Sequence, residues 1–173
     1  MEILLGCGSN RTKKLHQQDR PAWAGLVTLD HEASHNPDIV YDLAKIPLPF
    51  QDNSADEIHA YECLEHVGTQ GDYKFFFAQF EDFWRILKPG GVLFATVPLP
   101  SSPWAFGDPS HTRVIPKESL VFLHQPSYTA QVGITPMSDF RSIYKADFDI
   151  LHMRENGDCL EFAIQAIKPS RIK

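Results

Sequence analysis

Apolar residues in this chain fall into short runs separated by polar turns, with one long helical stripe in the middle. The first run, Ile3-Leu4-Leu5, breaks directly into Gly6-Cys7-Gly8. It reads as a buried strand, and the glycines as a tight turn where backbone must come close to something. Leu26-Val27-Thr28-Leu29 is a second strand, closed by Asp30. Ile39-Val40-Tyr41 is a third, running into Asp42-Leu43-Ala44, and residues 55–61 are a fourth and less apolar one. From Tyr73 to Leu87, Phe76, Phe80, Phe83, Trp84 and Leu87 recur at helical spacing and predict a helix with one core-facing stripe. Lys88-Pro89-Gly90-Gly91 stops it, because proline cannot continue a helix and glycine suits its C-cap. Residues 92–97, apolar but for Thr96, are a fifth strand. Two further strands, 148–153 and 159–167, flank Asn156-Gly157, a hairpin signal.

The connections carry their own information. Residues 9–24 are polar and mixed and stop at Arg20-Pro21, so only a short or irregular helix fits there. Residues 99–116 form a long loop rich in Pro, Ser and Trp, and long loops in compact domains are usually functional. A short helix follows to about His124, and 125–137 read as irregular. The sum is one α/β domain spanning residues 1–173: five β–α steps of parallel character, then an antiparallel hairpin. In a parallel sheet Asp30 and Asp42 close their strands on the same edge, where ligands bind.

A strand, a glycine turn and an acid closing the next strand about 20 residues on is the layout of a nucleoside-binding α/β domain. The glycines let main chain pass under the ligand, and the carboxylate accepts hydrogen bonds from ribose hydroxyls. Composition narrows the choice. A net charge of −6 argues against a broad nucleic-acid surface. Cys7, Cys63 and Cys159 are far apart and odd in number, which points to a reducing compartment without a disulfide framework. Met1 stands just before the first strand with no charged leader, and no run approaches the ~18 residues of a membrane span, so a soluble cytoplasmic protein is expected.

Taken in order, these segments resemble the class I S-adenosylmethionine-dependent methyltransferases of the type 11 kind, over roughly residues 3 to 125. The residues that carry the resemblance are Leu5-Gly6-Cys7-Gly8, Asp30, Asp42-Leu43-Ala44, Leu48-Pro49-Phe50, Leu64-Glu65-His66 and Arg85-Ile86-Leu87-Lys88-Pro89-Gly90-Gly91. The resemblance implies a Rossmann-like methyltransferase fold: a mostly parallel seven-stranded sheet with a C-terminal antiparallel hairpin and helices on both faces. It implies S-adenosylmethionine as cofactor. Gly6, Cys7 and Gly8 would line its methionine part with backbone, and Asp30 would hold the ribose with His31 beside the adenine. Asp42 and the Leu43 main chain would meet the adenine. The Tyr61 carbonyl, with Glu62 after it, would face the ammonium. One departure is Asn10, where family members often carry a third glycine. That glycine serves packing against a pyrophosphate, which S-adenosylmethionine lacks.

Methyl transfer is an in-line displacement that needs alignment, exclusion of water and sometimes removal of a proton. Two histidines are candidate general bases: His66 after the fourth strand, and His111 in Asp108-Pro109-Ser110-His111 of the long loop. Histidine suits this role because it titrates near working pH. Glu62, Glu65 and His66, at i, i+3 and i+4, would share one face of a helical turn. That spacing admits a divalent metal, but the favoured reading gives Glu65 and His66 the work of orienting the cofactor pocket, with no metal. The expected activity is methylation of oxygen or nitrogen on a small-molecule or glycan-type acceptor. The alternative is a non-catalytic module of the same fold acting with a partner protein. A nucleic-acid methyltransferase is disfavoured, since no Asn/Asp-Pro-Pro-Tyr/Phe motif follows the fourth strand. With so little chain before the glycine turn, cover over the site is expected from a homodimer or a bulky substrate. Trp104, Phe106 and Tyr128 are expected to line the opening.

Overall fold

The computed structural model describes residues 1–172. Seven strands form one sheet: β1 (Glu2–Leu5), β2 (Leu26–Asp30), β3 (Ile39–Val40), β4 (Ala55–Tyr61), β5 (Leu87–Pro98), β6 (Phe148–Asn156) and β7 (Cys159–Ala166). Their order is β3-β2-β1-β4-β5-β7-β6. The first five run parallel, and β7 enters antiparallel between β5 and β6. The strand order reverses between β1 and β4, which leaves a crevice at their C-terminal ends.

Strand alternation sends successive side chains to opposite faces. Ile3 and Leu5 of β1, Ile58 and Ala60 of β4, and Leu93, Ala95 and Val97 of β5 enter the main core. Helix α1 (Tyr73–Ile86) covers that face with Phe77, Phe80, Phe83 and Ile86. Asp72 caps it by accepting from the Phe75 N–H. Its buried Asp82 accepts from the Leu48 N–H (2.8 Å), and Arg85 donates to the carbonyls of Phe50 (2.7 Å) and Leu48 (3.2 Å). This explains why Leu48-Pro49-Phe50 travels with Arg85 in the sequence: the helix pins the loop.

The opposite face receives no helix from the β1–β2 connection. Residues 9–24 cross it as an extended strap, and Leu15 and Trp23 pack on Leu4, Cys7 and Tyr61. Leu15 also meets Val92, Phe94 and Ala163.

Three elements differ from the sequence reading. The helix ends at Ile86, and Leu87 already has extended backbone (ψ 140) and opens β5, so that strand starts five residues before Val92. Residues 103–107 form a short helix, α2 (Pro103–Gly107), inside the expected loop, started by Ser102 capping the Trp104 N–H and by Pro103. Residues expected to be irregular hold α3 (Gln125–Gln131), capped by the His124 side chain. It has little apolar periodicity, because only Gln125 and Tyr128 are buried.

Candidate functional site

The glycine turn after β1 sits at the switch point. Gly6 has φ +56, and a Cβ there would run into the Cys63 sulfur, so the turn requires glycine at this position. Gly8 has φ +50 but faces open space, leaving its backbone free to approach a ligand. The Asp30 carboxylate, 4% exposed, accepts from the Gly8 N–H (2.8 Å) and the Glu32 N–H (2.9 Å). Burial works against this charge, yet the two backbone donors outweigh it and hold the pKa below the usual carboxylate range. Sequence reasoning missed two neighbours. Arg11 donates to the carbonyls of Gly8 (3.2 Å), His35 (2.7 Å) and Asn36 (3.0 Å), and His35 Nδ1 lies 3.4 Å from Asp30. Arg11 stands in irregular chain and His35 ends a single 3-10 turn (Ala33–His35), and no periodicity assigns either a partner.

The other expected cofactor residues divide by burial. His31 stands exposed beside Asp30, its Nδ1 3.5 Å from the carboxylate. Asp42 accepts from the Ala44 N–H (2.9 Å), closing a turn on the same edge. The Leu43 side chain lies in the main core, so only its main chain is available to a ligand. The Cys7 side chain packs towards the strap, and burial raises the pKa of its thiol. The Tyr61 ring also points to the strap face, where its hydroxyl meets His59 and Leu15. Glu62 adopts φ +48, with its N–H on the Thr96 carbonyl and hydroxyl, and its buried Oε1 has no hydrogen-bond partner. The left-handed backbone thus holds in place a carboxylate oxygen that is free to accept from a positively charged group.

Beyond Glu62 the chain makes a single 3-10 turn, Leu64–His66. The long loop is zipped to it: the N–H groups of Thr112 (2.9 Å) and Arg113 (3.3 Å) donate to the Glu65 carbonyl, and Arg113 Nε donates to the Leu64 carbonyl (2.9 Å). This brings His111 against His66, ring centroids 4.6 Å apart and nearly perpendicular. Glu65 lies beneath both. Its Oε1 is 4.0 Å from His66 Nε2 and 4.0 Å from His111 Nε2. The residue is 1% exposed, and neither carboxylate oxygen has a hydrogen-bond partner. Burial pushes the Glu65 carboxyl up to about 8. The sequence treated the histidines as separate candidates; the fold joins them over one carboxylate. It also separates Glu62 from the tight group, which is Glu65, His66 and His111.

These side chains line a cleft of about 280 Å³ with Glu62, Ser102, Trp104, Asp108 and Cys159. Trp104 stands at its mouth, 62% exposed, while Phe106 points to solvent. Tyr128 does not belong to the opening: it is fully buried under α3 and its hydroxyl donates to the Ser138 carbonyl. A second cavity, about 170 Å³, is lined by Phe76, Phe77, Phe122 and Phe140 with Arg113.

The profile of the methyltransferase domain family matches residues 5–95, from the glycine turn to β5. The chain belongs to this family. It is therefore an S-adenosylmethionine-dependent methyltransferase, with S-adenosylmethionine as its cofactor. Solved structures share the fold. A SAM-dependent methyltransferase from Archaeoglobus fulgidus superposes with a TM-score of 0.58 at 12% identity, covering 95% of this chain and 85% of that one. The N-methyltransferase NodS from Bradyrhizobium japonicum, in complex with S-adenosyl-L-homocysteine, gives 0.56 at 14% identity over 95% and 76%. A chain from a complex of the Haloferax volcanii Trm112 methyltransferase activator gives 0.57 at 18% identity over 96% and 82%. No curated protein sequence matches this methyltransferase. No helix among its described residues is long and apolar enough to cross a membrane.

The residues present fit the cofactor. The open Gly8 backbone, the ionised Asp30 and the unsatisfied Glu62 oxygen offer close approach and acceptors for hydroxyl and ammonium groups.

Proposed function

We propose that this methyltransferase methylates an oxygen or nitrogen of a small-molecule or glycan-type acceptor bound in the Glu65–His66–His111 cleft. The observation that carries the reading is the buried, unpartnered Glu65 carboxylate facing two imidazoles, at the strand edge that holds the glycine turn. S-adenosylmethionine supplies a methyl group already activated on a sulfonium. Gly6, Cys7 and Gly8 hold its methionine part through backbone, Asp30 takes the ribose, and His31, Asp42 and Leu43 border the adenine. The Tyr61 carbonyl and the Glu62 carboxylate accept from the ammonium. His66 and His111 face the acceptor, orient its lone pair and relieve it of its proton. With S-adenosylmethionine held there, the acceptor heteroatom would gain a bond to carbon as the carbon–sulfur bond breaks. Trp104 at the mouth offers a ring on which the acceptor stacks. A partner-dependent form of this reading has one support, the structural neighbour found with an activator protein.

Calorimetric titration with S-adenosylhomocysteine tests the cofactor half. Micromolar binding is expected, weakened at least about tenfold in Asp30→Ala, which costs at least ~1.4 kcal/mol. No binding at millimolar ligand would sink the reading for the isolated chain. A screen of hydroxyl and amine acceptors with labelled S-adenosylmethionine tests the other half. Transfer should fall at least about a hundredfold in His111→Ala, the scale of a lost proton-transfer group.

A further inference from the structure

We propose that Glu65, His66 and His111 bind one divalent transition-metal ion whose open side faces the cleft. The catalytic part of this inference rests on the function proposed above; occupancy by the ion does not.

One ligand atom from each of the three residues lies within 4.8 Å of the other two. The Glu65–histidine separations of 4.0 Å are too long for hydrogen bonds. They exceed by about 0.7 Å the about 3.3 Å ligand–ligand edge that bonds of ~2.0–2.1 Å impose on a tetrahedral ion. Small side-chain rotations close the difference. The carboxylate is nearly sealed from solvent and neither of its oxygens has a partner, so a cation between it and the rings satisfies a group the fold otherwise leaves orphaned.

The rings are set as ligands. His66 Nδ1 lies 3.3 Å from the Ser110 carbonyl, so Nδ1–H donates there and Nε2 keeps its lone pair towards Glu65. This backbone partner behind a ligating imidazole is the usual way a protein fixes tautomer and ring angle at a metal. His111 turns Nε2 inwards, to 4.0 Å from Glu65 and 3.9 Å from Asp108, while its buried Nδ1 has no hydrogen-bond partner. Two imidazoles and one carboxylate favour zinc, iron or cobalt over magnesium or calcium, which prefer all-oxygen sites. Three protein ligands leave at least one position open, and that side is the cleft. With the ion bound, the two Nε2 atoms are ligands and no longer bases: the ion would hold the acceptor hydroxyl there and acidify it, its proton passing to solvent, and only the metal-free site would use the histidines as bases. The spacing of Glu62, Glu65 and His66 along the chain suggested another set. The third ligand instead comes from the long loop, and Glu62 stays with the cofactor.

The test uses the full chain, first treated with a chelator and then titrated with Co²⁺. Visible d–d absorption saturating at one ion per chain, and its loss on adding Zn²⁺, is the expected result. Glu65→Gln and His111→Ala should each weaken binding at least about a hundredfold. Circular dichroism and S-adenosylhomocysteine titration run on the same samples. X-ray absorption of the wild-type zinc complex, which needs no variant to fold, should report two imidazoles. Absent d–d bands, unchanged affinity in His111→Ala or fewer than two imidazoles would overturn the metal site. If S-adenosylhomocysteine still binds in that case, methyl transfer stands without the ion. If the metal binds and the nucleoside does not, the proposed function fails alone.

Discussion

The two faces of β4 solve burial in opposite ways. Ile58 and Ala60 meet the phenylalanines of α1 in an apolar core. Glu57, His59 and Tyr61, one residue out of phase, meet the strap, where Lys13 Nζ sits 3.1 Å from Glu2 and 2.7 Å from Glu57. His59 Nε2 is 3.0 Å from Glu57 and its Nδ1 is 2.6 Å from the Tyr61 hydroxyl, which also accepts from the Leu15 N–H at 3.1 Å. Trp23 closes over His59 edge-on, and Phe94 stacks beneath it. A helix satisfies its own backbone and needs only apolar contact from the sheet. A strap without helical hydrogen bonds needs partners for its main chain: its own Lys13 holds the carbonyls of Arg20 and Ala22, and the sheet supplies Glu2 for the Ala24 N–H and Tyr61 for the Leu15 N–H. The polar residues of this face therefore do the work that a helix backbone does on the other.

Truncating the apolar side is expected to have the largest effect. Phe80→Ala should cost about 4 kcal/mol in urea unfolding, since Phe80 is fully buried among aromatic rings. The strap side should respond differently to one change than to two. Lys13→Met leaves the buried Glu2 and Glu57 carboxylates without their cation and should cost about 3 kcal/mol. Adding Glu57→Gln should recover roughly half of that loss, because the uncompensated charge is gone. If Lys13→Met costs no more than an ordinary surface change, the strap is loosely held and the contrast between faces breaks.

The smallest effect sharpens the comparison through pH. Burial depresses the His59 pKa against the pull of Glu57, so the folded state holds this ring neutral. The unfolded chain then binds the extra proton as pH falls below about 6.5, and stability contributed by His59 is lost in that direction. The melting temperature of the wild type should fall more steeply on acidification than that of His59→Gln. Equal slopes would mean that the ring is solvated and that the network is no core.

How much of this was legible depends on the range of the interaction. The strands apart from the start of β5, the body of α1, the glycine turn and Asp30 follow from local periodicity and turn chemistry, and they lie where the pattern puts them. The α2 helix had its signal in Ser102-Pro103, but α3 had almost none, since its two buried residues make no stripe. The early end of α1 at Ile86 was masked by Leu87, apolar and in phase with the stripe but already extended. Residues 9–24 admit a short or irregular helix by their pattern, but the structure holds none there, and nothing in them foretells that Lys13 finds Glu57.

The sequence by itself determined the α/β order, the glycine turn and the family, because each of those rests on local patterns in the chain. It also nominated His66 and His111 one at a time. Only the tertiary structure decided that they share Glu65, that Glu62 stands apart from them, and that Tyr61 turns its ring away from the cleft. Those outcomes depend on where a long loop is hydrogen-bonded to a distant turn, here Thr112 and Arg113 to Glu65. Such a contact leaves no period in the sequence, since its partners are tens of residues apart and the chain between them is irregular.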